Sequence, residues 1–142
     1  MVCDTRSDFD RIVYWMDSDG PMTSDPKQLE NHYDIMHYAF VNINSDFSID
    51  DSKISISNFL DLNIKKVASF GGWDFSTNPS TYKIFRDIVS DVNSREKFAT
   101  NVVNFLKKYN LDGNDLDWEY PKKFLCFVRC YLELSNTIRR RP

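Results

Sequence analysis

The sequence predicts an α/β protein built around a parallel β-sheet. Two observations lead to this fold class. Short runs rich in β-branched and aromatic residues occur four times along the chain, and segments with apolar residues at helical spacing lie between them. This alternation is typical of β-α units, whose helices cover a parallel sheet. Four such units fit either half of an eight-unit barrel or a small open sheet, and spacing alone does not separate the two.

The four predicted strands cover residues 11–15, 35–43, 66–70 and 111–118. A polar loop at residues 17–21 follows the first strand, and the third strand ends in Gly71-Gly72-Trp73. Consecutive right-handed β-α units add strands side by side. We therefore expect the four strands to be parallel neighbours in chain order.

The predicted helices lie between and after the strands. Weak helical patterns cover residues 25–31 and 52–61, and a longer pattern places apolar residues at 82, 85, 89 and 92. Asn93 and Glu96 have the spacing of a capping box, so a new helix is expected to start there. Its apolar stripe is the clearest in the chain and consists of Phe98, Val102, Phe105, Leu106 and Tyr109. A final helical pattern covers residues 124–138.

Composition places the chain among globular proteins with one domain. It has 142 residues, 42% hydrophobic and 27% charged, which is enough for a single core. A net charge of −3 gives no reason to expect nucleic acid or an anionic membrane as a partner. The run of three arginines at 139–141 is interpreted as a solvated helix end or chain terminus. No apolar run approaches the ~20 residues of a membrane span, and the first twenty residues lack the pattern of a signal peptide.

Cysteine and histidine positions predict neither a zinc site nor a cofactor. Cys3, Cys126 and Cys130 match no zinc spacing, and the last two are expected to be buried thiols on one helical face. His32 and His37 are interpreted as a surface residue and a strand residue. The redox state of the cysteines and the oligomeric state of the protein stay open.

Three carboxylates recur along the fourth strand. Alternate residues of a strand share a face, so Asp115, Asp117 and Glu119 are expected to project to one side near its carboxyl end. Leu116 and Trp118 would cover the opposite side, which argues against an exposed edge. Such a row suits acid catalysis of glycoside cleavage, because a neighbouring anion raises the pKa of a general acid. Solvated acids on an edge strand, or a calcium or magnesium site, are the alternatives.

Two motifs together resemble the family 18 glycoside hydrolases, chitinases of (β/α)8-barrel fold. The family's fourth-strand signature, D-G-x-D-x-D-W-E, is matched by Asp112, Gly113, Asp115, Asp117, Trp118 and Glu119, with Tyr120-Pro121 following. Its third-strand signature, S-x-G-G-W, is matched by Ser69, Gly71, Gly72 and Trp73. The second strand is also similar at Tyr38-Ala39-Phe40. The resemblance is strongest over residues 11–121 and is closest to fungal chitinases similar to killer-toxin subunits.

The resemblance implies a TIM-barrel fold truncated to about its first four β-α units, with residues 1–142 as part of the catalytic domain. It also implies retaining hydrolysis of β-1,4-linked N-acetylglucosamine polymers, assisted by the substrate. Glu119 would protonate the glycosidic oxygen, Asp117 would orient the acetamido group, and Asp115 would share the proton of Asp117. The implied sugar contacts are Trp73, Phe40, Tyr14 and Tyr120, although a core role is an equal alternative for Trp73 and Phe40. The implied supporting residues are Asp112, Gly113, Ser69, Gly71 and Gly72.

The resemblance further implies chitin or N-acetylglucosamine oligomers as ligand, no cofactor and an extracellular location. The family pattern is lost after Pro121, and Asn114 stands where the family has an aliphatic residue. A truncated gene product or gene-model fragment with impaired turnover is therefore expected. The alternative is a chitin-binding protein without turnover. Glu119 argues against that alternative, because inactive members typically lack this glutamate.

Overall fold

The computed structural model describes residues 9–16, 25–52 and 56–121. Five strands form in these ranges: β1 (Ile12–Met16), β2 (Ile35–Ile43), β3 (Ile49–Asp50), β4 (Lys65–Gly71) and β5 (Gly113–Asp117). The sheet order is β1-β2-β4-β5, and every pairing along it is parallel. The predicted parallel order is confirmed. The last strand is shorter than the predicted range of 111–118.

A short hairpin extends β2 and was not predicted from the sequence. β3 pairs antiparallel with the end of β2, with Asn42 opposite Asp50 and Ile43 opposite Ile49. Phe47 occupies the turn with φ 68°, and the N–H of Asn44 donates to the carbonyl of Ser48 at 2.9 Å. A strand of two residues is too short to leave an alternation that sequence reading could detect.

Four α-helices occur in the described ranges: α1 (Ser57–Leu60), α2 (Trp73–Thr77), α3 (Ile84–Ser90) and α4 (Val92–Lys108). The weak pattern at 25–31 forms only a 3₁₀ turn at Pro26–Gln28, and α1 is the helix in the described part of the pattern at 52–61. Helix α2 was not predicted. The predicted helix at 124–138, the loop at 17–21, the run at 139–141 and all three cysteines lie outside the described residues.

The start of α4 differs from the predicted capping box. Asp91, with φ −143°, is the N-cap, and its carboxylate accepts the N–H of Ser94 at 3.0 Å. The Ser94 hydroxyl donates back to Asp91 at 2.6 Å. Asn93 therefore lies inside the first turn. The predicted apolar row through 92 is also wrong, because the chain turns at Asp91 and leaves Val92 49% exposed.

The core lies between the outer face of the sheet and the helices. The predicted stripe of α4 is confirmed, since Phe98, Val102, Phe105 and Leu106 are buried and Tyr109 packs against them partly buried. The ring centroids of Phe98 and Phe105 lie 6.3 Å and 5.9 Å from that of Phe70 in β4. No helix in the described ranges is long and apolar enough to cross a membrane.

The opposite, inner face of the sheet carries polar side chains. Along one row, Tyr14 of β1 lies opposite His37 of β2, which in turn lies opposite Val67 of β4. One step further along β4, Ser69 lies opposite Asp115 of β5. The parallel register thus brings side chains from four strands toward one place.

Candidate active site

Polar groups from four strands meet at one carboxylate oxygen. Oδ2 of Asp115 accepts the Tyr14 hydroxyl at 2.8 Å and the Ser69 hydroxyl at 2.6 Å. Nδ1 of His37 lies 3.4 Å from the same oxygen. That separation is too long for a good N–H···O hydrogen bond. The contact is an ion pair only when the imidazole is protonated.

These contacts favour Asp115 as an anion. Burial raises the pKa of Asp115, but His37, Ser69 and Tyr14 lower it, and the net pKa lies below the ordinary value. The pKa of Tyr14 is raised by burial, by its hydrogen bond to Asp115 and by the charges of Asp115 and Asp117. Tyr14 therefore stays a phenol and continues to donate to the carboxylate.

Asp117 lies one step further along β5, opposite Gly71 of β4. Burial raises the pKa of Asp117, and the charges of Glu119 and Asp115 raise it further. The row thus contains a carboxyl of lowered pKa beside one of raised pKa. A proton shared by the two carboxyls is therefore favoured on Asp117 over Asp115. The resemblance implied that the two residues share a proton, and these pKa directions indicate that they share it unequally.

Glu119 lies two residues beyond the end of β5. Leu116 and Trp118, which alternate with the carboxylates, are buried, and Trp118 stacks on Phe85 of α3 at a centroid distance of 5.5 Å. The charge of Glu119 raises the pKa of Asp117, which indicates that the two carboxyl groups lie near each other. The backbone N–H of Glu119 donates to the Ser76 hydroxyl at 3.0 Å. Since Ser76 belongs to α2, this short helix helps to fix the position of Glu119.

Two glycines bring the ends of β4 and β5 close together. Gly71 has φ 108° and Gly72 has φ 86°, and the Gly72 N–H donates to the Asp117 carbonyl at 2.8 Å. A Cβ on Gly71 would lie 2.5 Å from that carbonyl oxygen, and one on Gly72 would lie 3.0 Å from the Phe40 ring. Gly113 differs, since a Cβ there would meet only a Val67 methyl group at 3.7 Å.

Asp112 ties the entry of β5 to β4. Its carboxylate accepts the N–H of Lys66 at 2.7 Å, and its own N–H donates to the Lys66 carbonyl at 2.8 Å. This two-way contact sets the register that places Ser69 opposite Asp115. Asp112 is therefore well placed to support the row from its base.

Four aromatic residues expected at the sugar site are partly or largely exposed. The exposed fractions are 58% for Trp73, 70% for Tyr120, 48% for Tyr14 and 37% for Phe40, so none of the four is fully buried. The ring centroids of Tyr14 and Phe40 lie 6.3 Å apart. Trp73 begins α2 and Tyr120 follows Glu119. Aromatic faces beside carboxylates can pack on the apolar face of a sugar ring.

Two site residues were not identified from the sequence. His37 was interpreted only as a strand residue, although strand alternation and parallel order together place it beside Tyr14. Ser76 left no signal, because it lies on a helix of five residues that no apolar pattern marks. Asn114 stands where the family has an aliphatic residue. Its Nδ2 is buried and has no hydrogen-bond partner within the described ranges.

The three residues of the carboxylate row are partly buried. A cavity of about 190 Å³ lies elsewhere, between the β3 hairpin and α4, with Asp51, Asn101 and Lys108 in its lining. Among the described residues, no group of three or more His, Cys, Asp or Glu side chains is arranged to hold a metal ion.

A comparison with protein families matches residues 10–138 to the family described as Glycosyl hydrolases family 18. The match covers β1 to β5 and therefore the whole carboxylate row. Its extent exceeds the range of strongest resemblance expected from the sequence.

Curated relatives include killer toxin subunits alpha/beta of Kluyveromyces lactis, 61% identical over 117 residues. That alignment covers 81% of this chain and 10% of the relative. Secreted chitinase LysM12 of Penicillium expansum is 51% identical over 94 residues, which is 63% of this chain and 6% of that protein. The chain thus spans about a tenth or less of the length of these relatives.

Among solved structures, the chain is similar to a mutant GH18 chitinase from Cycas revoluta in complex with (GlcNAc)4. The TM-score is 0.76 at 23% identity, over 92% of this chain and 41% of that one. At this identity the likeness shows the fold alone. It places the parallel sheet of this chain within the TIM barrel of such chitinases and identifies it as part of a barrel.

Proposed function

This chain belongs to the family 18 glycosyl hydrolases, and from that premise we propose that residues 1–142 form part of a chitinase catalytic domain. The proposed reaction is hydrolysis of β-1,4-linked N-acetylglucosamine polymers. The observation that carries the proposal is the row of Asp115, Asp117 and Glu119 on one sheet face, with a lowered pKa at its base and a raised pKa in its middle. The chain covers 41% of the Cycas chitinase, so turnover is proposed for the whole barrel.

In this mechanism Glu119 is the general acid. It protonates the glycosidic oxygen while the acetamido oxygen of the same sugar attacks the anomeric carbon, and an oxazolinium ion forms as the glycosidic bond breaks. The resulting carboxylate of Glu119 then takes a proton from water as the water attacks the anomeric carbon and the bond from that carbon to the acetamido oxygen breaks. Two inversions give net retention, and Glu119 recovers its proton.

Asp117 is proposed to accept the acetamido N–H and to stabilise the positive charge that develops on the sugar. Its position between Asp115 and Glu119 suits this role, because burial raises its pKa and the charges of these two neighbours raise it further. The charge of Asp115 contributes to the raised pKa of Asp117. Hydrogen bonds from Tyr14 and Ser69 hold the Asp115 carboxylate in place. The exposed rings of Trp73 and Tyr120 are proposed to bind neighbouring sugars.

A second candidate is an N-acetylglucosamine-oligomer-binding protein without turnover. Such a protein would use the aromatic rim, which consists of Trp73, Tyr120, Tyr14 and Phe40, but it would not require the carboxylate row. The presence of Glu119 beside a carboxyl of raised pKa favours the catalytic reading. We further propose an extracellular location, which the name of the secreted Penicillium relative supports.

The test uses a hybrid barrel in which residues 10–121 replace the matching segment of the Penicillium expansum chitinase. We expect the hybrid to cleave N-acetylglucosamine oligomers, and Asp117→Asn to reduce turnover strongly because an amide cannot hold or release the shared proton beside the acetamido group. The purified 142-residue chain, assayed in parallel, should be inactive or very weak, because it offers only part of the sugar-binding wall.

The parent chitinase serves as the positive control, and circular dichroism checks that each variant is folded. A folded hybrid that binds the oligomers without cleaving them would contradict the catalytic proposal and favour the binding protein. Strong turnover by the 142-residue chain would show that the remaining barrel is dispensable.

A further inference from the structure

His37 is the one group at the carboxylate row, within the described ranges, that the proposed mechanism does not use. It lies on β2, its side chain is only 12% exposed, and its Nδ1 is buried. Its ring lies against Tyr14 at a centroid distance of 4.6 Å and an angle of 51°. A buried imidazole nitrogen is costly unless a partner compensates for its lost hydration. The polar atom that Nδ1 faces is Oδ2 of Asp115, at 3.4 Å.

A positive charge on His37 would interact mainly with Asp115. In the described part of the chain, the titratable groups in contact with it are Tyr14 from β1 and Asp115 from β5. From β4, the residue opposite is the uncharged Val67. A phenol is neutral at ordinary pH. The carboxylate of Asp115 is therefore the anion that an imidazolium here would meet.

Asp115 and Asp117 lie at different distances from His37. Asp115 shares its oxygen Oδ2 between Tyr14, Ser69 and the Nδ1 contact. Asp117 lies two residues further along β5, about 6–7 Å on. Because a charge interaction weakens with distance, a cation at His37 stabilises the anionic form of Asp115 more than that of Asp117.

We propose that His37 is a positioning residue whose cationic form fixes Asp115 as the anion of the row and so keeps the shared proton on Asp117, beside Glu119. This inference rests on the proposed function only in naming Asp117 and Glu119 as working groups. The location of the proton can be measured without substrate and without turnover.

The measurement is a carboxyl ¹³C NMR titration of the 142-residue chain, with the Asp115 signal assigned by its loss in Asp115→Asn. His37→Gln removes the charge and should raise the pKa of Asp115, and His37→Lys restores a cation and should bring that pKa back down. His32→Gln is the matched control. His32 is the other histidine of the chain, and its side chain is exposed, so the Asp115 titration should not move.

An unchanged Asp115 titration in folded His37→Gln would overturn the proposal. Equal rises in His37→Gln and His37→Lys would also overturn it, because they would show a packing role rather than a charge. Should the variants fail to fold, ring ¹⁵N spectra of the wild-type chain at pH 5 decide. Protonation of both ring nitrogens of His37 supports the proposal, and a neutral ring contradicts it. A hybrid barrel that fails to cleave oligomers would refute the proposed function without affecting any of these readouts.

Discussion

Gly71 shows how one residue sets the geometry of the carboxylate row. Its φ of 108° is a conformation that side-chain-bearing residues rarely adopt, and the missing Cβ admits the Asp117 carbonyl. Together with Gly72, it lets β4 end against the backbone of β5 where Asp117 must point inward. The two glycines are therefore part of the site even though neither carries a reactive group.

We predict that Gly71→Ala destabilises the fold by roughly 2–5 kcal/mol, from backbone strain together with the clash of a methyl group against Asp117 and Phe85. The matched control is Gly113→Ala, which should change stability by about 0.5 kcal/mol or less, since the new methyl would meet only Val67 at 3.7 Å. Urea unfolding followed by tryptophan fluorescence measures both. Similar losses in the two variants would contradict the close approach at Gly71.

Single residues were predictable from the sequence where a rule of alternation applied. Asp115, Asp117 and Glu119 could be placed on one face because side chains alternate along a strand. His37 required the strand order as well, since its partner lies 78 positions away on β5. Ser76 could not be derived, because its link to the Glu119 backbone depends on how α2 packs.

At the scale of elements, the long helix α4 depends on a cap that lies earlier than its sequence pattern indicated. The Asp91 carboxylate accepts two hydrogen bonds from Ser94, one from its N–H and one from its hydroxyl. These bonds lower the pKa of Asp91, the Ser94 hydroxyl more than the backbone. A carboxyl of lowered pKa stabilises the fold above its unfolded pKa, and that contribution is lost as the pH falls through its folded pKa.

We therefore predict that Asp91→Ala lowers the midpoint of thermal unfolding at pH 7 by roughly 3 °C. The difference from wild type should shrink as the pH falls through the folded pKa of Asp91. Asn93→Ala, at the position the sequence favoured as cap, should leave the midpoint nearly unchanged, because Asn93 lies inside the first turn. Differential scanning calorimetry at several pH values measures this. A larger loss for Asn93→Ala would place the cap back at Asn93.

Elements with a long pattern were predictable, and short elements were not. β2 forms over the predicted range of 35–43, and α4 buries its predicted stripe. β3 and α2 have two and five residues, and elements of that length are held by contacts rather than by their own pattern. The boundary between α3 and α4 was misplaced for a related reason, since the turn at Asp91 interrupts an apolar row that appears continuous in the sequence.

At the scale of the whole molecule, the described strands together form one side of the proposed site. The row of Asp115, Asp117 and Glu119, its donors Tyr14 and Ser69, and the aromatic rim all come from β1 to β5 and the segments next to them. The inner face of β1 is largely open, with Ile12 50% and Met16 61% exposed. The similar solved chitinase is more than twice as long as the aligned part.

Spacing could not distinguish a half-barrel from a small open sheet, because both contain the same β-α units. The motifs of the third and fourth strands separated the two folds, because they resemble those of a family with a barrel fold. The family match over residues 10–138 and the barrel likeness confirm the family and the fold class. The roles of the individual site residues are still proposals, since they depend on a substrate that must contact both halves of a barrel.

The central claim is that Glu119 supplies the proton to the leaving oxygen, and the most direct test compares two leaving groups in the hybrid barrel. With an N-acetylglucosamine oligomer, whose leaving alkoxide needs a proton, Glu119→Gln should slow cleavage about 10²–10⁴-fold. With a dinitrophenyl glycoside, whose leaving phenolate departs without one, the same variant should lose far less. Equal losses on both substrates would contradict general acid catalysis by Glu119.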